Sequence, residues 1–291
     1  ARSASPSPIS RVASGMNSLD TKRSHLGALI AALSLFTRLP FWRLRELTKA
    51  DYEDALSWWP VAGLVTATTL AGSFYLYSLV LPSMGGALAL ALGTRLLLTG
   101  AFHEDGLGDF FDGFGGGRER SQILAIMKDS HVGSYAVLGL ILYYLTYWAL
   151  GTSLPAGWLP AVLFASDITG KVTSLLQVQF LPYARREEDS KIGVTYRKAR
   201  PLAIYAALAI FLTVQWWALR PIEATPIGGS ELTHFVPLSI FLPILVGGGL
   251  IAYLRKRIDG YTGDTCGALC LLSELATLTG FAILYRLGLG I

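Results

Sequence analysis

Charged residues are scarce in this chain of 291 residues: Asp, Glu, Lys and Arg make up 15% of it, and hydrophobic residues 52%. Four long stretches contain no charged residue at all, namely 55–94, 132–166, 201–219 and 235–254. A helix needs about 20 mostly apolar residues to cross the hydrocarbon core of a bilayer, and each stretch provides that length. The composition excludes an ordinary soluble domain and predicts an integral membrane protein.

Several other common features are absent from the sequence. Only two cysteines occur, Cys266 and Cys270, one helical turn apart in an apolar segment, which predicts small core residues rather than a disulfide or a metal pair. We find no internal repeat and no linker between domains. Residues 1–24 are Ser-rich without the apolar core of a signal peptide, and we expect a disordered tail there. Residues 25–291 are predicted to form a single transmembrane domain.

The apolar stretches predict an all-α fold, a polytopic bundle of about seven transmembrane helices. Open strands are excluded because backbone in lipid must satisfy its own hydrogen bonds. The segment 25–42 is also apolar, but Arg38 and Pro40 interrupt it. We expect a re-entrant or interfacial helix there, not an eighth crossing. The predicted spans are 58–80, 85–102, 132–150, 159–181, 201–219, 235–254 and 265–289.

Basic residues alternate between the two sets of connecting segments. Fifteen Lys and Arg lie in one set, whereas the other set holds only Arg220. Cytoplasmic loops carry the excess of basic residues, so we expect a multi-pass protein of the cytoplasmic (inner) membrane with the first set in the cytosol. The net charge of +4 is then explained by topology and anionic lipid, and no nucleic-acid partner is expected. The basic set is 40–57, 103–131, 182–200 and 255–264, and the other set is 81–84, 151–158 and 220–234.

The segment FHEDGLGDFFDGFGGGRER, residues 102–120, places an acidic cluster directly after an apolar run. If this segment is helical, Asp105, Asp109 and Asp112 project from one face and repel one another. A bound Mg²⁺, or alternatively Mn²⁺, would turn this repulsion into a metal site, since both ions prefer oxygen ligands. We therefore predict these three aspartates as metal ligands. Gly113, which opens the glycine run, is expected to offer its main-chain N–H to a phosphate.

A second acidic position lies near the start of the last predicted span. Asp264 follows Thr262 and Gly263, either of which suits a helix cap. Small residues then recur on one stripe of the helix, which allows a neighbouring helix to come close and turns Glu274 inward. An ionisable residue inside a span has either a functional or a hydrogen-bonded structural role, and the sequence leaves both open.

Two further spans also contain charge. Asp167 and Lys171 lie four residues apart, so an ion pair between them would spare the bilayer two unpaired charges. Arg95 lies in the second predicted span, and the sequence suggests no partner for it.

Five motifs together resemble one family. In chain order they are FTRLPFW (36–42), TGAFHEDGLGDFFDGFGGG (99–117), IMKDSHVGSYA (126–136), LPYAR (181–185) and GYTGDTCGA (260–268). The chain resembles the cobalamin synthase family, also called adenosylcobinamide-GDP ribazoletransferase or cobalamin-5'-phosphate synthase. The similarity runs in order from about residue 26 to the end of the chain, which makes it specific.

The resemblance implies that the transmembrane domain is catalytic and that the chain is a transferase of vitamin B12 biosynthesis. Such an enzyme joins adenosylcobinamide-GDP to α-ribazole, or to its 5'-phosphate, and releases GMP with the help of Mg²⁺. The implied partners are these substrates and the lipid bilayer, and a homodimer is left open. Expected catalytic residues are Asp109, Asp264 and His103, with Asp264 as a further metal ligand or the group that orients the hydroxyl, and His103 as a general base or substrate contact. Expected phosphate contacts are Arg185 and Lys128. Glu104, where many relatives carry Leu, is a further candidate metal ligand or a neighbour of the metal.

Two other classes of membrane protein share some of these features. A CDP-alcohol phosphotransferase would also combine membrane helices, aspartates and Mg²⁺. The run from Asp109 to Gly113 matches the start of that family's pattern, but the later aspartates do not follow. A cation transporter would hold its acidic residues near mid-bilayer between inverted repeats. Here the acidic residues lie at one predicted membrane edge, and no repeat is visible.

Overall fold

The fold is that of a computed structural model, which describes residues 24–185, 195–223 and 238–288. The tail predicted over residues 1–24 lies outside the described residues except for Ser24. Within them the regular structure is helical, apart from one isolated bridge between Tyr183 and Tyr261. The α-helices are α1 (His25–Phe36), α2 (Lys49–Glu53), α3 (Trp59–Val80), α4 (Met84–Thr99), α5 (Phe102–Gly116), α6 (Arg120–Ile126), α7 (Ser134–Thr152), α8 (Leu159–Phe180), α9 (Pro201–Glu223), α10 (Leu238–Ile258) and α11 (Gly263–Gly288).

The described chain contains six helices that are long and apolar enough to cross a membrane, or seven if the bent pair α4 and α5 forms one crossing. This confirms the prediction of a polytopic helical membrane protein. The observed helices begin and end within a few residues of the predicted spans; α3, for example, covers Trp59–Val80 where the sequence predicts 58–80. The predicted connection 220–234 lies mostly outside the described residues.

Helix α1 is too short to be an eighth crossing. Its 12 residues give a length of about 18 Å, well below the roughly 30 Å of a hydrocarbon core. Ser24 caps it, because its hydroxyl oxygen accepts a hydrogen bond from the N–H of Gly27 at 3.0 Å. The side chains of Ala28 and Ala31 are fully buried, so α1 packs into the bundle through small residues.

Helices α4 and α5 meet at a sharp break that the sequence analysis does not predict. Gly100 and Ala101 both adopt left-handed backbone conformations, with φ of 69° and 59°, and the two helices diverge by 94°. A side chain at position 100 would collide with Arg38, since an ideal Cβ there would lie 2.4 Å from its Nε atom. The left-handed conformation favours glycine at this position; the contact by itself does not require it, because the exposed Arg38 side chain can move. The predicted span 85–102 ends at this break.

Two helices form the centre of the bundle. The apolar windows of α8 and α11 are 83% and 72% buried, against 22% for α7 and for α10, which present most of their surface outward as a lipid-facing helix does. Gly170 of α8 lets the central pair approach closely, because an ideal Cβ there would lie 2.4 Å from the carbonyl oxygen of Cys270. Cys266 and Cys270 are buried free thiols, which confirms that they are core residues.

Arg95 of α4 is the hub of a buried charge network. Its guanidinium group forms an ion pair with Glu274 of α11 and lies 3.4 Å from Glu104 of α5 and 3.5 Å from Asp167 of α8. All four side chains are almost completely buried. One cation thus connects four helices, and Glu274 faces inward as the sequence predicts.

Hydrogen bonds extend the network to two more helices. Lys171 pairs with Asp167 at 2.7 Å, as its spacing predicts, and the hydroxyl of Thr66 on α3 donates to Asp167 at 2.7 Å. From α7, Tyr147 donates to Glu274 at 2.9 Å and Tyr144 to Glu104 at 3.1 Å. Charges removed from water must be paired in this way, because an unpaired buried charge is strongly destabilising.

Replacing Arg95→Gln should lower the thermal stability of the purified protein, since three buried carboxylates lose their shared cation. Breaking a buried ion pair costs about 3–5 kcal/mol. The measurement is the unfolding midpoint in detergent, with Arg220→Gln as the matched control because Arg220 lies exposed over the Trp216 ring. The double variant Arg95→Gln with Glu274→Gln should lose less stability than the two single losses added together. Strict additivity would contradict a shared network.

Candidate active site

Helix α5 carries Asp105 and Asp109 on one side, next to its contact with α11. Gly106 makes this contact: an ideal Cβ there would lie 2.8 Å from the carbonyl oxygen of Asp264 and 3.1 Å from its Cα atom. The backbone that bears Asp264 therefore lies directly against the helical turn that bears Asp105. Asp105 is exposed, Asp109 is half-buried and Asp264 is 7% exposed. We call these three residues the aspartate face.

The start of α11 is fixed by a reciprocal cap. The N–H of Thr265 donates to the hydroxyl oxygen of Thr262 at 3.2 Å, and the N–H of Thr262 donates to the hydroxyl oxygen of Thr265 at 2.9 Å. Thr262 is therefore the cap, one of the two residues that the sequence proposes. This arrangement holds Asp264 in the first turn of the helix, where a negative charge is favoured.

A short ladder places Arg185 beside Asp264. The N–H of Ala184 donates to the carbonyl of Tyr261 at 2.8 Å, and the N–H of Tyr261 donates to the carbonyl of Pro182 at 2.9 Å. The chain after α8 is thereby aligned with the start of α11. Arg185 then reaches Asp264 at 3.4 Å. Two residues predicted for the site from separate motifs, Arg185 and Asp264, are in contact.

Asp112 has a different environment from the other two aspartates of α5. Its carboxylate oxygens accept hydrogen bonds from the N–H of Gly133 at 2.6 Å and of Ala136 at 2.9 Å. Both donors lie at the start of α7, so Asp112 caps that helix from a neighbouring one. The metal-ligand role predicted for Asp112 competes with this contact, which leaves Asp105 and Asp109 as the carboxylates on the open side of α5.

Glu104 and His103 lie on other sides of α5. Glu104 faces Arg95 and Tyr144 inside the bundle, so the structure separates it from the aspartate face. His103 is 2% exposed, and its ring stacks on that of Trp59 with 5.1 Å between centroids. Both residues point away from Asp105 because successive helical positions are rotated by about 100°. The structure does not bring either residue to the place where the sequence analysis expects it.

Gly113 is packed inside the protein. It lies within α5, and an ideal Cβ there would lie 2.4 Å from Cγ of Met127. The helix continues to Gly116, so the N–H of Gly113 belongs to the helix interior. The sequence predicts that this N–H meets a phosphate, whereas the structure places it inside a helix. The close contact with Met127 requires glycine for packing.

The connection between α6 and α7 carries an exposed ion pair. Nδ1 of His131 lies 2.6 Å from a carboxylate oxygen of Asp129, and the His131 side chain is 90% exposed. This hydrogen bond raises the pKa of His131 above its ordinary value and lowers that of Asp129. His131 is therefore a surface residue of this connection.

A cavity of about 560 Å³ opens beside the aspartate face. Arg185 belongs to its wall and also contacts Asp264. Arg120 joins two parts of the wall by donating to the carbonyl oxygen of Ala184 at 2.9 Å, and it also donates to that of Ile258, outside the wall, at 2.8 Å. The cavity lies within the size range of small-molecule sites. Its lining residues are Glu119, Arg120, Ser121, Leu124, Ala125, Lys128, Ala184 and Arg185.

The aspartate face fits a divalent cation only in part. In the ranges 24–185, 195–223 and 238–288, no three His, Cys, Asp or Glu side chains stand close enough to form a ligand set. Mg²⁺ is usually bound by one or two carboxylates together with waters and substrate phosphates. Asp105 and Asp109 fit that pattern as a pair. Asp112, the third predicted ligand, differs from them because each of its carboxylate oxygens already accepts a hydrogen bond from the start of α7.

Comparisons with known proteins identify the family. Residues 28–282 match the model of the family described as cobalamin-5-phosphate synthase. The chain belongs to this family. The resemblance seen in the sequence motifs is thereby confirmed, and the chain is a transferase of cobalamin biosynthesis.

Similar curated proteins cover most of the chain. An adenosylcobinamide-GDP ribazoletransferase of Clostridium acetobutylicum is 32% identical over 264 residues, 89% of this chain and 98% of that protein. Proteins of the same name from Albidiferax ferrireducens and Shewanella frigidimarina are 32% and 33% identical, and cover 87% and 86% of this chain and 96% and 92% of their own lengths. No solved structure matches the chain.

Two features of this region are not predicted from the sequence. No partner is predicted for Arg95, because the sequence pairs Asp167 with Lys171 and places Glu104 in the connection 103–131; only Glu274 is an intramembrane acid without a predicted cation. Arg120 and the cavity are not predicted either, because the carbonyl groups that Arg120 binds lie 64 and 138 residues away along the chain. The partner of Arg95 could have been found by pairing it with Glu274, whereas the cavity has no local sequence signal.

Replacing Gly106→Ala should disrupt the site, because the new Cβ would lie 2.8 Å from the backbone of Asp264 and push α5 away from α11. Overpacking of this kind costs about 1–3 kcal/mol. Gly93→Ala is the matched control, since a Cβ at that helical position meets nothing within 4 Å. Unfolding midpoint and enzymatic turnover should both fall for Gly106→Ala and stay near native for Gly93→Ala. Equal behaviour of the two variants would contradict the close contact.

Proposed function

We propose that this protein is a Mg²⁺-dependent transferase that joins adenosylcobinamide-GDP to α-ribazole, or to α-ribazole 5'-phosphate, with release of GMP. The products are adenosylcobalamin, or its 5'-phosphate, and GMP. The proposal extends the activity named for the relatives to this chain. The observation that supports it best is the convergence of Asp264 with Asp105 and Asp109, which lie 159 and 155 residues earlier in the chain, next to a basic cavity.

The reaction exchanges one phosphoanhydride bond for one phosphoester bond. The 3'-hydroxyl oxygen of the ribazole attacks the phosphorus nearest the cobinamide arm. The bond between this phosphorus and the bridging oxygen breaks, and its electron pair leaves with GMP. The hydroxyl proton is lost to solvent or to a phosphate oxygen. Phosphoryl transfer of this kind requires mainly positioning and charge neutralisation.

Side chains of both signs are available for these tasks. Arg185 and Lys128, which line the cavity, would hold phosphate oxygens. Arg185 is itself held by Asp264 at 3.4 Å and by the carbonyl of Leu124 at 3.3 Å, so its guanidinium is oriented before substrate arrives. Asp264 would act through this arginine as a positioning residue, or contact the incoming hydroxyl directly.

Asp105 and Asp109 would hold the Mg²⁺ ion. When bound, the ion would neutralise negative charge on the diphosphate. Their exposed and half-buried positions suit a site whose remaining ligands come from water and substrate. A general-base role for His103 has no support in this geometry, since its ring is buried against Trp59. We assign His103 to the packing of α5.

We also propose that the aspartate face lies on the cytosolic side of the cytoplasmic membrane. The connections that adjoin it carry the basic excess on which the positive-inside rule rests. The diphosphate of adenosylcobinamide-GDP is charged and the ribose of the ribazole is polar, which favours a site open to the cytosol. The homologues' names imply a nucleotide-activated substrate of this kind.

Turnover should depend on both substrates and on Mg²⁺. Purified protein in detergent should release GMP from adenosylcobinamide-GDP only when α-ribazole or its phosphate and Mg²⁺ are present, and EDTA should abolish the release. Asp109→Asn should reduce turnover at least about 100-fold, the loss of several kcal/mol of charge stabilisation. Asp259→Asn is the matched control, an exposed acid near the start of α11 whose left-handed backbone, φ of 51°, tolerates Asn.

Other activities would contradict the proposed reaction. Release of CMP from a CDP-alcohol would favour the phospholipid enzyme. Cation flux across sealed vesicles without nucleotide cleavage would favour the transporter. Normal turnover by Asp109→Asn would remove the metal role of this residue while leaving the reaction in place.

The orientation can be tested on the two ends of α7. Ser130→Cys and Ser153→Cys place exposed thiols before and after this helix, while Cys266 and Cys270 are buried. In spheroplasts, whose cytoplasmic membrane is intact, a membrane-impermeant maleimide should label only the Ser153→Cys protein. Inverted membrane vesicles should show the reverse pattern. Labelling of Ser130→Cys from outside would contradict a cytosolic site.

A further inference from the structure

We propose that the segment 38–45, between α1 and α2, is a binding site for the headgroups of anionic phospholipids at the membrane surface. We call these eight residues the arginine segment. The motif FTRLPFW (36–42) overlaps it, and neither the proposed reaction nor the cavity uses any of its residues. The inference does not rest on the proposed reaction, because it concerns contact with the membrane and not with the substrates.

The first argument is the exposed apolar surface of the arginine segment. Leu44 is 68% exposed and Trp42 is 38% exposed. Both residues belong to the predicted connection 40–57 and not to a span, so the hydrocarbon core of the bilayer does not cover them. Tryptophan is enriched at the level of the lipid headgroups, where one part of its ring is in apolar surroundings and another is near water. The exposed pair therefore fits the boundary between headgroups and hydrocarbon.

The second argument is the charge that alternates with this apolar surface. Arg38, Arg43 and Arg45 are all exposed, and the one carboxylate that directly follows them is Glu46. Of the three arginines, Arg45 alone donates a side-chain hydrogen bond within the part of the chain that the structure describes, to the carbonyl oxygen of Glu46 at 3.3 Å. A guanidinium group matches the geometry of a phosphate. Cationic and apolar side chains in alternation are typical of segments that lie on an anionic lipid surface.

The backbone of the arginine segment is suited to an apolar boundary. Within its short helical turn, the N–H of Arg43 donates to the carbonyl oxygen of Pro40 at 3.1 Å, and that of Leu44 donates to Phe41 at 3.0 Å. Backbone polar groups in apolar surroundings have to be paired within the protein. The turn already provides such pairing, so lipid binding requires contacts from the side chains only.

The arginine segment is also fixed to the break between α4 and α5. The N–H of Arg38 donates to the carbonyl oxygen of Leu98 at 2.7 Å, and its guanidinium lies against Gly100. Just before the segment, the ring of Phe36 stacks on that of Trp59 with 4.5 Å between centroids. A lipid bound to the segment would therefore stabilise the break that directs α5 toward the aspartate face.

A second copy of the chain fits this surface less well than lipid does. In a symmetric dimer the same patch of both subunits meets, so three arginines would face three arginines. Like charges placed opposite each other at an interface are unfavourable. Anionic headgroups offer the opposite charge and an apolar layer directly beside it.

The experiment measures which lipids the purified full-length protein retains in native mass spectrometry. The protein is equilibrated in detergent with equal amounts of phosphatidylglycerol and phosphatidylcholine. The native protein should retain phosphatidylglycerol in preference. The double variant Arg43→Gln with Arg45→Gln should lower the ratio of the two retained lipids at least about tenfold, since each cation near an anionic lipid surface strengthens binding roughly fivefold.

The matched control removes the same charge elsewhere. Arg118→Gln with Lys256→Gln neutralises two exposed cations of other connections in the same basic set, and this variant should keep the native ratio. Leu44→Gln should weaken retention of both lipids and leave their ratio unchanged, because it removes apolar contact only. Phosphatidylglycerol should raise the unfolding midpoint of the native and control proteins more than that of the Arg43→Gln, Arg45→Gln protein.

Three results would overturn the inference. The first is equal retention of the two lipids by the native protein, and the second is an equal loss of preference in the control variant, which would reduce the effect to net charge. The third is a native dimer that Leu44→Gln dissociates without any lipid preference, which would assign the surface to a second copy. The turnover assay remains a separate test, because GMP release in detergent should be the same for the native protein and for Arg43→Gln with Arg45→Gln.

Discussion

The ion pair between Arg95 and the acids around it is the constraint on which the rest of the structure depends. Charge inside a membrane bundle is tolerated only when it is paired, and here one guanidinium serves Glu104, Asp167 and Glu274 from three different helices. Because Glu104 must face Arg95, the rotation of α5 about its axis is fixed. Asp105 is the next residue, about 100° further round the helix, and is therefore held outward. The buried network thus orients the acidic residues that are used at the surface.

Close backbone contacts then bring the second acidic segment to the first. The left-handed residues Gly100 and Ala101 end α4 and redirect the chain by 94°, so that α5 runs across the start of α11 instead of continuing away from it. Gly106 allows the two backbones to touch at Asp264. Left-handed Ala101 costs on the order of 1–2 kcal/mol, and glycine inside a helix about 1 kcal/mol. The left-handed alanine and the helical glycine thus lower local stability, and in return they allow the backbones of α5 and α11 to come close.

On the polar side of the bundle, acidic and basic side chains lie in separate regions. Acidic groups lie on α5 and at the start of α11, while the cavity next to them is mostly basic. Arg185 stands at the boundary and contacts both. A diphosphate with its metal needs acids for the ion and bases for the remaining oxygens, so the separation suits one charged ligand that spans the two regions. The backbone hydrogen bonds between residues 182–184 and Tyr261 hold Arg185 beside the start of α11.

The sequence by itself determined the membrane-spanning helices, the ion pair of Asp167 with Lys171, the burial of Glu274 and the two acidic loci. These follow from local periodicity and from the cost of charge in lipid, which act over a few helical turns. It could not determine that Asp112 caps α7, that Glu104 and His103 turn inward, or that Gly113 is packed inside α5, because each depends on which face of α5 meets which neighbour. Nor could it reveal the cavity, whose wall joins residues far apart in the chain through carbonyl groups that every residue possesses. Tertiary structure alone decided these points, since a helix fixes the angles between its side chains but not its own rotation against the helices around it.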